Sequence, residues 1–255
     1  MIRVGVFGAG GRMGATVCDA VAGAPDLELV AAVDPFHAGA PVHNLTIAPS
    51  AEAFEAAGVD VAVDFTVVDA SRENIVWCAE HDVHAVVGTT GFSDADLADF
   101  GARFERSRAN AIIAPNFAIG AVMLMRFSEM AAPFFETAEI VEYHHDSKVD
   151  APSGTAALTA QRMAAASKDW APDPTTKVVA DGARGGTIDG IPVHAVRMRG
   201  MVASQEVLLG TTGQTLSLRH DTYDRASFMP GVLLAARKVV ETPGLTLGLD
   251  SLLGL

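Results

Sequence analysis

The stretch Val4-Gly5-Val6-Phe7-Gly8-Ala9-Gly10-Gly11-Arg12-Met13-Gly14 decides the fold. It begins as a short β-branched apolar run over residues 4–8, the pattern of a buried strand. It ends in a glycine cluster that opens a helical pattern over residues 14–23. Glycines at such a strand-to-helix turn let the backbone approach a pyrophosphate closely, and the helix N-terminus then offers N–H groups to the anion. The spacing departs from strict G-x-G-x-x-G, because Met13 holds the last position. Gly8, Gly11 and Gly14 instead fit G-x-x-G-x-x-G. A glycine turn alone is weak, since ordinary strand-to-helix turns also use glycine. It gains weight from Asp34, which ends the next strand 20 residues after Gly14. That is the place from which a carboxylate accepts hydrogen bonds from an adenosine ribose.

Working outward, apolar runs at residues 27–33, 61–65, 85–88 and 111–114 read as further buried strands. Helical patterns lie between them at residues 50–57, 69–81 and 94–108, the last with Ser93 as N-cap. This alternation predicts an α/β unit, a Rossmann-type doubly wound parallel sheet. After about residue 118 the pattern changes. A helix at 122–131, a strand at 138–143 and a helix at 156–165 precede strand runs at 191–197, 205–209 and 215–220. Strands without intervening helices predict an inserted α+β domain with a mixed or antiparallel sheet. A final helix over 228–240 is expected to pack back on the first domain. The resulting division is 1–118 with 222–255 for dinucleotide binding, and 119–221 for substrate binding and oligomerisation.

Composition narrows the function. The 255 residues are 49% hydrophobic and only 19% charged, which places the chain among globular rather than disordered proteins. The formal net charge of −13 argues against nucleic acid or an anionic membrane as partner, since phosphate binding needs clustered Lys and Arg. Residues 1–118 hold 6 basic and 16 acidic groups, whereas residues 171–225 hold 6 of each. A small dianion is therefore better received by the second half. The two cysteines, Cys18 and Cys78, fit a reduced cytoplasm and no disulfide scaffold. No signal-peptide layout precedes the first strand, and no apolar run is long enough to read as a transmembrane helix.

Two further strand ends face the same side of the predicted sheet. Gly88-Thr89-Thr90-Gly91 and Ala114-Pro115-Asn116-Phe117 suit contact with a nicotinamide and its ribose, although each alone is also plain turn chemistry. Asp34 suits a free 2′-hydroxyl and repels a 2′-phosphate, and only Arg12 and His37 lie near in sequence to offset it. NADH is thus favoured, with NADPH as the alternative.

The most informative stretch is Glu142-Tyr143-His144-His145-Asp146-Ser147-Lys148-Val149-Asp150-Ala151-Pro152-Ser153-Gly154-Thr155-Ala156. A histidine gives or takes a proton near neutral pH, and Lys148 offers a cation or a second proton. Gly154 and Thr155 open a helix whose N–H groups suit a carboxylate. A capped polar loop explains Ser153 but not this density of titratable groups. Adjacent histidines point apart and no third ligand is evident, so no metal site is expected. Arg184, Arg197, Arg199, Arg219 and Arg225 lie in the second half, where some of them could meet a dianion; surface solvation is the default reading for each.

The form E-x-H-H-x-x-K-x-D-A-P-S-G-T-A resembles the signature of the 4-hydroxy-tetrahydrodipicolinate reductase family, also called dihydrodipicolinate reductase. The resemblance extends over nearly the whole chain, through Gly8–Gly14, Gly88–Gly91, Ala114–Phe117 and residues 205–231, and is nearest the actinobacterial branch. It implies NAD(P)H-dependent reduction of a cyclic dicarboxylate imine in diaminopimelate and lysine biosynthesis. It implies His144 as general acid/base, Lys148 as proton donor and carboxylate partner, and His145, Gly154 and Thr155 as substrate holders. Gly8, Ala9, Gly10, Gly11, Arg12, Met13, Asp34, Gly88, Thr89, Thr90, Ala114, Pro115, Asn116 and Phe117 would hold the cofactor. A cytoplasmic homotetramer built through the second domain's sheet is implied as well. The chain departs from the pattern at Ser204, where relatives carry a histidine. A dinucleotide-sensing regulator would not need His144 and Lys148. A semialdehyde dehydrogenase working through a thioester would need a nucleophilic cysteine, and both cysteines fall in predicted helices.

Overall fold

The computed structural model describes residues 1–255, which divide into two units. In chain order the elements begin β1 (Ile2–Phe7), α1 (Arg12–Ala22), β2 (Leu27–Val33), β3 (Pro41–Val42), β4 (Leu45–Thr46), α2 (Glu52–Ala57), β5 (Val61–Asp64), α3 (Val68–Glu80), β6 (His84–Val87), α4 (Asp94–Phe104) and β7 (Ala111–Ile113). They continue with α5 (Ile119–Ala131), β8 (Thr137–His144), α6 (Gly154–Ala166), β9 (Gly186–Ile188), β10 (Ile191–Arg197), β11 (Ala203–Thr211) and β12 (Gln214–Thr222). The last are α7 (Met229–Lys238), β13 (Leu245–Leu247) and α8 (Asp250–Leu253).

The first unit, Met1–Ile119 with Phe228–Gly254, is built on a parallel six-stranded sheet in the order β13-β7-β6-β5-β1-β2. Its inner strands β5 and β7 are buried at every residue, which is why they read as continuous apolar runs rather than alternating ones. The chain runs from β1 to β2 on one side and then crosses to β5 on the other, so the switch point lies between β1 and β5. Phe54, Ile75, Phe100 and Phe104 fill the core under one face, and the Phe7 and Phe54 rings meet at 4.5 Å. Ser93 caps α4 as expected. Its Oγ accepts from the Asp96 N–H at 3.2 Å, and the Asp96 carboxylate accepts from the Ser93 N–H at 2.8 Å.

The second unit, Gly120–Ser227 with Leu255, holds a five-stranded sheet in the order β12-β11-β8-β10-β9. Only β8 and β10 run parallel, so the sheet is mixed. Helix α6 packs Ala156, Ala160 and Met163 against Ile140, Val193, Val207 and Leu209 on one face. Strand alternation sends Glu139, Val141, Tyr143, Glu206, Leu208 and Arg219 to the other face, where none is fully buried. No helix is long and apolar enough to cross a membrane.

Several boundaries differ from the sequence reading. Strand β12 runs on to Thr222, and the chain returns to the first unit at Phe228 rather than at residue 222. Helix α4 stops at Phe104, not residue 108, and α7 stops at Lys238 before a 3₁₀ turn. Strand β9 forms inside the Gly-rich segment, and β13 adds a sixth strand beyond Pro243-Gly244.

Candidate active site

In the first unit the Gly8–Gly14 turn stands at the end of β1, at the switch point of the sheet. Gly8 has φ +69°, a left-handed conformation that an L side chain rarely adopts. A Cβ on Gly14 would stand 2.0 Å from the Gly8 carbonyl oxygen, so the helix packs here only because position 14 has no side chain. Gly11 is the N-cap of α1 and supplies no side-chain cap. The first turn of α1 therefore leaves N–H groups for an external acceptor. This cradle fits a pyrophosphate.

Asp34 is buried at the end of β2, as the spacing required. Its carboxylate accepts from the Gly10 N–H at 3.1 Å and the Phe36 N–H at 2.9 Å, and His37 Nδ1 lies 3.0 Å away. The acid is thus fixed beside the glycine turn. At the neighbouring strand ends, Thr89 donates its hydroxyl to the Thr66 carbonyl at 2.8 Å, and the Phe117 ring lies 5.5 Å from that of Phe65. Asn116 Oδ1 accepts from the Ala118 N–H at 2.8 Å. Residues 64–66 were not singled out in the sequence, yet they line this edge. Asp64 accepts from the Thr66 N–H and hydroxyl, both at 2.7 Å, and Thr66 lies against Gly8.

In the second unit the end of β8 and the start of α6 bring Glu142, His144 and Ser153 together, and the loop between them carries Lys148. Glu142 and His144 are two apart on a strand, so both side chains point to the α6 face. Glu142 is fully buried. It accepts from His144 Nδ1 at 2.5 Å, from both terminal nitrogens of Arg197 at 2.8 Å, and from the Ser153 N–H at 3.0 Å. Burial pushes this acid up, but the bonds from His144, Arg197 and Ser153 outweigh it and hold its pKa at about 2. Lys148 Nζ donates to both oxygens of Asp150, at 2.7 and 2.8 Å. The Lys148 ammonium draws the Asp150 carboxyl below its ordinary range. His145 takes a different partner, with Nδ1 2.8 Å from the Ser147 hydroxyl. Ser153 caps α6 by accepting from the Ala156 N–H at 3.2 Å, which leaves Gly154 and Thr155 as its first two residues.

Two sequence readings change here. Arg197 is not a solvated surface residue: its side chain is 19% exposed and its guanidinium forks onto Glu142. Its partner lies 55 positions away, so no local pattern shows the pair. Glu142 was given no role, although its i,i+2 spacing from His144 on a strand was the available signal. Ser204 lies on the sheet face opposite Glu142, opposite Tyr143 in register, and hydrogen-bonds Asp221. A residue at this position therefore does not reach His144 from the α6 side. Cys18 and Cys78 are unpaired and buried; burial pushes the Cys18 thiol up to about 12 and the Cys78 thiol higher still. Neither is a poised nucleophile.

A glycine cradle at the switch point of a doubly wound sheet, with an acid at the next strand end, defines a dinucleotide-binding class of protein, here carrying a separate α+β unit. The particular family follows from known proteins. The family model for the dihydrodipicolinate reductase N-terminus matches residues 2–117, and that for its C-terminus matches residues 120–253. The chain is 50% identical to a 4-hydroxy-tetrahydrodipicolinate reductase of Cutibacterium acnes, over all of both chains. It is 49% identical to one of Streptomyces coelicolor, covering 100% of this chain and 98% of the relative. A dipicolinate-bound dihydrodipicolinate reductase from Paenisporosarcina sp. TG-14 superposes with a TM-score of 0.90 at 38% identity, covering 98% of this chain and 99% of that one. The chain belongs to the dihydrodipicolinate reductase family and is an oxidoreductase.

Proposed function

We propose that this chain reduces 4-hydroxy-tetrahydrodipicolinate to tetrahydrodipicolinate, with His144 and Lys148 supplying the proton and the carboxylate contact. One observation carries the proposal. The end of β8 and the start of α6 hold an imidazole, an ammonium and a helix N-terminus within one loop. A nicotinamide dinucleotide, when bound, supplies the hydride. Gly8, Ala9, Gly10, Gly11, Arg12 and Met13 would hold its pyrophosphate, Asp34 its adenosine ribose, and Gly88, Thr89, Thr90, Ala114, Pro115, Asn116 and Phe117 its nicotinamide end.

The substrate first loses its 4-hydroxyl and a ring proton as water, which gives the conjugated imine; hydride addition to that imine then leaves an electron pair that is delocalised as an enamine and must take up one proton. His144 delivers that proton from Nε2, because Nδ1 is engaged by Glu142. Lys148 and the Gly154 and Thr155 backbone receive the two carboxylates. Asp150, which now engages Lys148 through both oxygens, gives way to a substrate carboxylate of the same geometry.

Asp34 favours NADH, since its carboxylate accepts from a 2′-hydroxyl and repels a 2′-phosphate. In paired kinetics kcat/KM is expected to be higher with NADH, and Asp34→Asn is expected to move the ratio toward NADPH. A wild type strongly preferring NADPH would refute this role of Asp34. We also read the chain as a cytoplasmic homotetramer assembled through the sheet face of Val141, Tyr143 and Leu208, which α6 does not cover. Sedimentation velocity is expected to give the mass of four chains, and a monomer would remove the interface.

A further inference from the structure

We infer that Glu142, clamped by Arg197, is a positioning residue that dictates which nitrogen of His144 carries its proton and ties that ring to the substrate-binding start of α6. The inference rests on the reading of His144 as the proton donor. Its basis is the saturation of one buried carboxylate. A carboxylate offers about four lone-pair sites. Glu142 Oε1 accepts from the Ser153 N–H at 3.0 Å and one Arg197 nitrogen at 2.8 Å. Its Oε2 accepts from the other Arg197 nitrogen at 2.8 Å and faces His144 Nδ1 at 2.5 Å. Three of these four partners can only donate.

The fourth, the imidazole, can present Nδ1 either as donor or as acceptor. Against a carboxylate only the donor form makes a bond. The neutral ring therefore keeps its proton on Nδ1 and has Nε2 as acceptor, while the protonated ring donates from Nε2. Each turnover then moves one proton through Nε2 alone, and Glu142 stays ionised throughout. Arg197 makes this possible, because a fully buried carboxylate facing only an imidazole would lack the fixed positive charge that keeps it ionised.

The same clamp positions the substrate side. Arg197 donates a further bond to the Asp150 carbonyl at 2.6 Å, just before the helix start, and Asp150 carries the carboxylate that engages Lys148. Glu142 itself holds the Ser153 N–H, and Ser153 caps α6. Ring orientation, the Lys148 loop and the α6 N-terminus thus share one buried ion pair. An apolar pair of similar volume would fill this space but would leave the tautomer of His144 unset.

The test uses the full-length enzyme with Glu142→Gln, Glu142→Asp and Arg197→Lys. In Glu142→Gln an amide NH₂ must face one of the existing donors, so the network cannot close. Its kcat is expected to fall about 10²-fold or more, a clearly larger factor than the loss of dipicolinate affinity, with KM for NADH changed by less than about threefold. Glu142→Asp is expected to recover at least about tenfold of that loss. Arg197→Lys keeps the charge but loses the fork, and is expected to lie between wild type and Glu142→Gln. Nitrogen-15 NMR of the His144 ring should show the Nδ1–H form in the wild type and the Nε2–H form in Glu142→Gln. If Glu142→Gln does not fold, Arg197→Lys carries the test: its Glu142 carboxylate still faces Nδ1, so the ring should stay in the Nδ1–H form while kcat falls. An unchanged ring tautomer in Glu142→Gln, or kcat near wild type in Glu142→Gln or, where that variant does not fold, in Arg197→Lys, overturns the inference. A kcat loss matched by an equal loss of dipicolinate affinity, with the tautomer unchanged, assigns Glu142 to structure alone and also overturns it. His144→Ala separates the two levels: slow His144→Ala with fast Glu142→Gln removes only this inference, whereas fast His144→Ala removes the role of His144 itself.

Discussion

His144→Ala is expected to lower kcat by about 10²–10⁴-fold while leaving NADH binding intact, because a proton-transfer group contributes about that factor. The ring sits at the end of β8, 16% exposed, with one nitrogen already committed to Glu142. Its removal takes away the group proposed to deliver the proton as hydride arrives. It also strips a donor from a fully buried carboxylate, which Arg197 and the Ser153 N–H still satisfy. The fold should therefore survive, and the loss should appear in kcat rather than in cofactor affinity. Lys148→Ala is expected to fall in the same range of kcat, with weaker substrate binding in addition, since its ammonium is the cation in this loop. Steady-state kinetics with cofactor titration checks both. Near-normal turnover in both variants would remove the site.

Gly14→Val is expected to abolish dinucleotide binding at millimolar cofactor and to destabilise the first unit. A Cβ there would lie 2.0 Å from the Gly8 carbonyl oxygen and 2.6 Å from its carbon. These are backbone atoms, so no side-chain rotation relieves the clash. Either α1 moves away from the end of β1 or the turn opens. Both displace the N–H groups offered by the first turn of α1 and separate Gly10 from Asp34. Calorimetric titration with NADH checks the binding, and thermal denaturation checks the stability. A variant that binds NADH as the wild type does would mean that this turn does not hold the cofactor.

How much of this could be read in the sequence depended on whether the interaction was local. The five strands of the first unit that the sequence foretold are runs buried at most positions, and burial on both faces is written directly into composition. Asp34 was found by its distance from Gly14, because one helix and one strand fix that spacing. Ser93 was found because a capping box is complete within four residues. Leu245–Leu247 was not found. Three residues carry too little period to register, and their strand exists only because β7 offers an unpaired edge. Gly186–Ile188 was masked by glycines for the same reason.

The site divides along the same line. His144, His145, Lys148, Gly154 and Thr155 were legible because they fall within twelve residues. Arg197 was not, because its partner is reached through the pairing of β8 with β10, and an arginine in a strand reads as exposed until its opposite residue is known. In the register His144 stands beside Arg197, which brings the guanidinium level with the Glu142 side chain. The acidic surplus was legible as a total, but its meaning came from where it lies. The Lys148 loop and the chain after it are nearer neutrality than the dinucleotide-binding half, which favours the dicarboxylate site proposed there.

A single assay decides whether the chain catalyses the proposed reaction. NADH oxidation is followed with freshly generated 4-hydroxy-tetrahydrodipicolinate, beside aspartate semialdehyde and a blank without substrate. Rapid oxidation is expected with the cyclic dicarboxylate alone, inhibited by dipicolinate. Oxidation with the semialdehyde instead, or with neither compound, would contradict it.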